Sequence, residues 1–133
     1  MRILVIDGQG GGIGRQVVAA LRTACPEADV TAVGTNGMAT SAMMKAGPDR
    51  AATGENAVIV NSRSADVIVG PVGIVIADAL LGEITPAMAA AVGQSRARRI
   101  LIPVNHCDNI VVGADTQSMS RLVQEAVRLI QSL

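Results

Sequence analysis

The chain has no phenylalanine, tyrosine or tryptophan, a single lysine, a single histidine and two cysteines in 133 residues. Without aromatic rings it lacks the platforms on which single-stranded bases stack. Eleven basic residues are matched by eleven acidic ones, so the broad positive field that non-specific nucleic-acid binding needs is also missing. Nucleic acid is not an expected partner. Cys25 and Cys107 are too few for a disulfide framework, and no charged-then-apolar leader precedes the first strand, which makes the cytoplasm the expected address. The most apolar stretch, 67–81, is interrupted by Gly70, Pro71, Gly73 and Asp78 and falls short of a bilayer span, so no membrane partner is expected either.

What is present is aliphatic. Half of the residues are hydrophobic, and with no rings among them the core must be built from Val, Ile, Leu, Met and Ala. A chain of this length forms one domain, 1–133, that buries roughly two thirds of its unfolded surface. Strand-like and helix-like segments alternate throughout, the pattern of an α/β protein with a mainly parallel sheet. Strands are predicted at 2–6, 29–34, 51–53, 66–70 and 99–104, the fourth continuously apolar as expected between two helical layers. Helices are predicted at 12–24, 39–46, from 54 to about 64, from 72 to about 81, from Pro86 onward behind a Thr85 cap, and at 116–133. A sixth strand at 109–113 comes too soon after the fifth for a parallel crossover and is expected to pair antiparallel. Right-handed crossovers then give a doubly wound, three-layer Rossmann-like domain of five to six strands in the order 3-2-1-4-5-6.

One segment stands apart: Ile3-Leu-Val-Ile-Asp7 runs into Gly8-Gln9-Gly10-Gly11-Gly12-Ile13-Gly14, a buried strand entering a glycine-packed turn that opens a helix. Glycines let a ligand approach the backbone closely, and the first helical amides point outward unpaired, which makes an anion site. Asp7 cuts the other way. Unit charges about 4 Å apart repel by ~4 kcal/mol at an effective dielectric near 20, so Asp7 must cap loop amides, hold a cation or meet a hydroxyl or amine. Further polar and glycine residues fall at the carboxyl ends of the other strands, where doubly wound sheets bind ligands. These are Thr35, Asn36 and Gly37, Thr53 to Asn56, Gly70 to Gly73, and Asn105, His106 and Cys107.

Register decides which phosphate loop this resembles. G-x-G-x-x-G fails, since Ile13 or Arg15 stands where the last glycine belongs, and no Gly-Lys-Ser/Thr occurs. Gly8-x-x-x-Gly12-Ile13-Gly14 is similar to the cofactor loop of short-chain dehydrogenases, which implies that these glycines face the adenosine and pyrophosphate end of NAD(P). The likeness stops after the first helix: that family's catalytic tyrosine has no counterpart in a chain without tyrosine, and the acid that holds ribose hydroxyls after the second strand is replaced by Val33-Gly34-Thr35-Asn36. Over nearly its full length the chain resembles a bacterial family known as domain of unknown function 3842, through D-G-Q-G-G-G-I-G, G-T-N-x-x-A-T-S-A-M, A-T-G-E-N-A, G-P-V-G-I-V-I-A-D, L-G-E-I-T-P and I-L-I-P-V-N. That resemblance implies a fold and carries no catalytic residue.

The leading expectation is a protein that binds a nucleotide, dinucleotide or other phosphorylated metabolite as a sensor or accessory subunit. Its ligand residues would be Asp7, Gly8, Gln9, Gly10, Gly11, Gly12, Ile13 and Gly14, with Thr35, Asn36, Gly70, Pro71 and Gly73. A second reading is a small metal-assisted or Cys/His enzyme drawing on Asp7, Glu55, Asn56, Asn105, His106 and Cys107, although no metal-ligand spacing is present. A third is a homodimeric interaction module that uses the apolar helices at 72–81 and 87–92 and has no ligand.

Overall fold

The computed structural model describes residues 1–104, 109–114 and 117–133. Five strands, β1 (Arg2–Asp7), β2 (Asp29–Gly34), β3 (Arg50–Thr53), β4 (Val67–Pro71) and β5 (Arg98–Ile102), form one sheet in the order β3-β2-β1-β4-β5, every pair parallel. Helix α1 (Gly12–Ala24), α2 (Gly37–Met44) and α5 (Met119–Gln131) cover one face, where Val17, Val18, Leu21, Met43, Val123 and Ile130 close over Ile3, Val5 and Val69. The other face carries α3 (Glu55–Ser62) and α4 (Pro86–Gln94), whose Val58, Met88 and Val92 pack on Leu4, Ile6 and Ile68. The alternation Ile3/Val5 against Leu4/Ile6 is the period of two that divides a doubly covered strand between two aliphatic cores. The fold is therefore the three-layer α/β sandwich expected from the sequence, with the chain order reversing between β1 and β4.

Two elements differ from expectation. Residues 109–113 form no strand: the amide of Ala114 donates to the Val111 carbonyl in a turn at Gly113, and Ile110 and Val112 are almost fully exposed. A short apolar run with no layer among the described residues to cover it has no buried face to fix a strand register. Residues 72–81 form no helix either. A single 3₁₀ turn, Val72–Val75, is succeeded by interlocking turns in which Asp78 N–H donates to the Ile84 carbonyl and Ile84 N–H to the Ala79 carbonyl. Asp78, Leu80 and Leu81 adopt positive φ (66°, 57° and 56°), with Gly82 next at 89°. The chain accepts this strain because it drops Ile74, Leu80 and Ile84 into the core from positions six and four apart, which one helical stripe would not do.

The remaining helices keep their expected places with shifted ends. Asn36 caps α2 by accepting from Ala39 N–H, so that the helix starts two residues before the expected position, and Ser118 caps α5 through Arg121 N–H. Thr85 caps α4 with Pro86 in its first turn, as the sequence predicts.

Candidate functional site

The glycine loop lies at the carboxyl end of β1, beside the strand-order reversal. Asp7 is buried, 4% exposed, and ties the loop into a ring: its Oδ1 accepts from Gly8 N–H at 2.8 Å and its Oδ2 from Gly14 N–H at 2.7 Å. Burial raises the Asp7 pKa, opposed by the amides of Gly14, Gly8 and Ile13 and reinforced by the nearby Glu83 charge. Of the three roles open to Asp7 in the sequence, the geometry displays the capping of loop amides.

Glu83, which no sequence motif singles out as a site residue, supplies the second clamp. It reaches the loop from segment 76–84, and its Oε1 accepts from Gln9 N–H (2.9 Å), Thr35 Oγ1 (2.6 Å) and Asn36 Nδ2 (2.8 Å). Burial works against its charge, but these three hydrogen bonds outweigh it and lower its pKa. Asn36 Nδ2 also donates to the Gln9 carbonyl. Thr35 and Asn36 are thus brought to the loop, as partners of Glu83. The one sequence signal for Glu83 is its place in L-G-E-I-T-P, just ahead of the α4 cap.

The loop's glycines divide by what surrounds them. A Cβ on Gly8 would meet Thr35 Oγ1 at 2.7 Å, Leu80 Cδ1 at 2.9 Å and Glu83 Oε1 at 3.0 Å. Gly11 has φ 74° and would strike the Ala39 backbone, while Gly14 would strike Met43 and Asp7. A Cβ on Gly10 or Gly12 would meet nothing within 4 Å, and among the described residues their amides have no hydrogen-bond partner. These two glycines, with Asp7, Gly8, Gln9, Gly11, Ile13, Pro71 and Leu80, line a half-open cavity of about 180 Å³. Gly11 at the N-cap of α1 has no side chain to cap the helix, and of the first-turn amides Gly14 N–H is taken by Asp7. The start of α1 and the unpartnered amides of Gly10 and Gly12 thus border the cavity, backbone groups of the kind that stabilise an anion.

Other expected site residues lie elsewhere. Gly70 and Gly73 serve packing: a Cβ on Gly70 would strike the Ile6 carbonyl, and one on Gly73 would crowd Ala79. Glu55 and Asn56 are exposed at the start of α3, after edge strand β3, and do not line the cavity. Asn105, His106 and Cys107 fall outside the described residues. Among the described residues no three His, Cys, Asp or Glu side chains group as metal ligands.

The family model for DUF3842, a domain of unknown function, matches residues 2–133. The chain belongs to the DUF3842 family. No curated protein matches the sequence. Among solved structures, this DUF3842 member is similar to a dodecameric FMN-dependent UbiX-like decarboxylase from Escherichia coli O157:H7, with 18% identity, a TM-score of 0.50, and 98% of this chain and 76% of that one covered. It is also similar to the E. coli heptosyltransferase WaaC with ADP, at 16% identity and a TM-score of 0.52, covering 97% of this chain and 46% of that one. At such identities the likeness is one of fold: a Rossmann-like α/β sandwich. No helix among the described residues is long and apolar enough to cross a membrane.

Proposed function

We propose that this DUF3842 protein binds the phosphate end of a nucleotide, dinucleotide or other phosphorylated metabolite over Gly10 and Gly12, and acts as a sensor or accessory subunit. The observation that carries this reading is the pairing of two glycines that packing does not require with the free amides and open cavity they border. At about 180 Å³ the cavity suits a phosphate group and leaves the rest of the ligand outside it. The fold neighbours named with FMN and ADP both concern phosphate-bearing molecules, in keeping with a site at this end of the sheet.

A sensor role fits the commitment of the local carboxylates. Both Asp7 oxygens accept loop amides, so Asp7 is not arranged as a free general base beside the cavity, and Glu83 is anchored through Oε1 to Gln9, Thr35 and Asn36. The enzyme reading loses Glu55 to the sheet edge, and the interaction-module reading is left a smaller apolar surface than two exposed helices would offer, because Ile74, Leu80, Met88, Ala89 and Val92 are buried within the chain while Leu81 is exposed.

Native mass spectrometry of freshly purified protein, compared with its denatured mass, reports retained ligand and assembly together. The expected result is an added mass matching a phosphorylated compound, or binding of added nucleotide or pyrophosphate, lost in Gly12→Val. That variant fills the open side of the loop without touching the packed one. A chain that stays bare with every added phosphate compound would overturn the proposal.

A further inference from the structure

We propose that Glu83 is the hydroxyl-binding acid of this site, taking the place of the acid missing after β2, so that the ligand is a phosphate ester carrying a free ribose-type diol. The inference rests on the phosphate reading of the loop and specifies the ligand beyond it.

In a doubly wound sheet a nucleotide lies with phosphates on the first turn and its ribose at the end of the second strand, where an acidic side chain accepts from the hydroxyls. Here the second strand ends in Val33-Gly34-Thr35-Asn36, with no acid. The structure delivers a carboxylate to that place from a different part of the chain. Glu83 is anchored to both residues that come after β2, Thr35 and Asn36, and to the loop amide of Gln9, all through Oε1. Oε2 has no hydrogen-bond partner among the described residues.

An anchored carboxylate with one open oxygen accepts hydrogen bonds and cannot donate them while ionised. Its lowered pKa keeps it ionised at neutral pH. It therefore calls for a donor on the ligand and disfavours a second phosphate there. Meanwhile the Gly10 and Gly12 amides, one and three residues beyond Gln9, call for an anion. A donor and an anion separated by this short span of backbone describe a sugar ring and its phosphate. Exposed aliphatic side chains occur on both segments that meet at the carboxylate: Leu81, two residues before Glu83, is 93% exposed, and Met38, two residues after Asn36, is 72% exposed. Such side chains offer apolar walls to a base in a chain that has no ring to stack on it.

The test is calorimetric titration of the full chain with the four ribonucleoside diphosphates, their 2′-deoxy counterparts and inorganic pyrophosphate, repeated on Glu83→Gln. Gln keeps an oxygen for Thr35, Gln9 and Asn36 and removes the charged acceptor. The expected result is that at least one ribonucleotide binds, that its 2′-deoxy form binds about tenfold to a hundredfold more weakly, the loss of one charge-assisted hydrogen bond, and that Glu83→Gln removes the difference. Equal affinity for ribo and deoxy forms in the wild type, which needs no variant, would overturn the role of Glu83, as would discrimination that survives in Glu83→Gln. Binding of pyrophosphate without any nucleotide would overturn this inference and leave the phosphate reading standing. Failure of pyrophosphate and every nucleotide to bind would overturn both.

Discussion

Two glycines four residues apart in one loop should respond to the same substitution with opposite signs. In Gly8→Ala the added methyl lands 2.7 Å from Thr35 Oγ1, 2.9 Å from Leu80 Cδ1 and 3.0 Å from Glu83 Oε1. The Glu83 carboxylate must withdraw, weakening charge-assisted bonds worth about 1.5–3 kcal/mol, and Leu80 must shift in the core at an overpacking cost of about 1–3 kcal/mol. The smaller entropy of the unfolded alanine chain returns about 0.4–1 kcal/mol, leaving a net loss of about 1.5–5.5 kcal/mol. In Gly12→Ala the methyl meets nothing within 4 Å at a position whose φ is not left-handed, so only the gain of about 0.4–1 kcal/mol remains. For 133 residues the unfolding entropy is about 0.28 kcal/mol/K. Thermal melts of the ligand-free proteins should therefore show a fall of about 5–20 °C for Gly8→Ala and a rise of about 1–4 °C for Gly12→Ala. In a Glu83→Ala background, Gly8→Ala should cost less, because one of the atoms it collides with is gone. Equal shifts for the two variants, or a Gly8→Ala melt within a degree of wild type, would refute the division of the loop into packed and open sides.

The two site carboxylates should titrate stability in opposite directions. Glu83 has its pKa lowered from 4.5, so its contribution is present above that value and lost as pH falls through the folded pKa; the Tm deficit of Glu83→Gln should shrink on acidification below 4.5. Asp7 has its pKa raised from 3.8, so its contribution is fullest below 3.8 and is lost as pH rises through the folded value; the deficit of Asp7→Asn should grow on acidification. Parallel trends in Tm against pH for the two variants would contradict this. Thr85→Ala, which removes the α4 cap on Met88 N–H, should cost about 1 kcal/mol, read as a fall of about 3–4 °C in Tm. Leu81→Asn should raise Tm by a few degrees, since Leu81 holds φ 56° while 93% exposed and a left-handed leucine costs roughly 1–2 kcal/mol that asparagine largely avoids.

The sheet is legible because its strands carry their own boundaries. Ile3 to Ile6 and Val67 to Val69 are continuous aliphatic runs that only a doubly covered parallel sheet buries, while Pro26 and Gly47-Pro48 stand just beyond the ends of α1 and α2. The same signal misleads at 72–81, where a mostly apolar run interrupted at Gly73 and Asp78 has no clear period of its own: whether Leu80 and Leu81 continue a helix or turn back depends on where β4 delivers the chain and where Thr85 takes it up. At 109–113 the run Ile110-Val111-Val112 suggests a strand, but with no layer among the described residues to bury it the chain makes a turn.

The loop is legible and its clamp is not, for one reason. Glycine density reports backbone freedom locally, but Glu83 acts on Gln9 across 74 positions and on Thr35 across 48, a separation no local pattern encodes. The helical expectation at 72–81 also hides the residue, because a helix there would carry Glu83 away from the loop in a continuous spiral. The strained turns at Asp78, Leu80 and Leu81 instead bend the chain back across the carboxyl end of the sheet. Leu80 then lines the cavity while Glu83, three residues on, accepts from the Gln9 amide, both of them close to Gly8. The left-handed residues that defeat the helical reading are thus the means by which an acid from the β4–α4 connection reaches the end of β2. The costliest backbone in the described chain and the candidate ligand contact are the same segment, which is where strain is expected to persist when it positions a site.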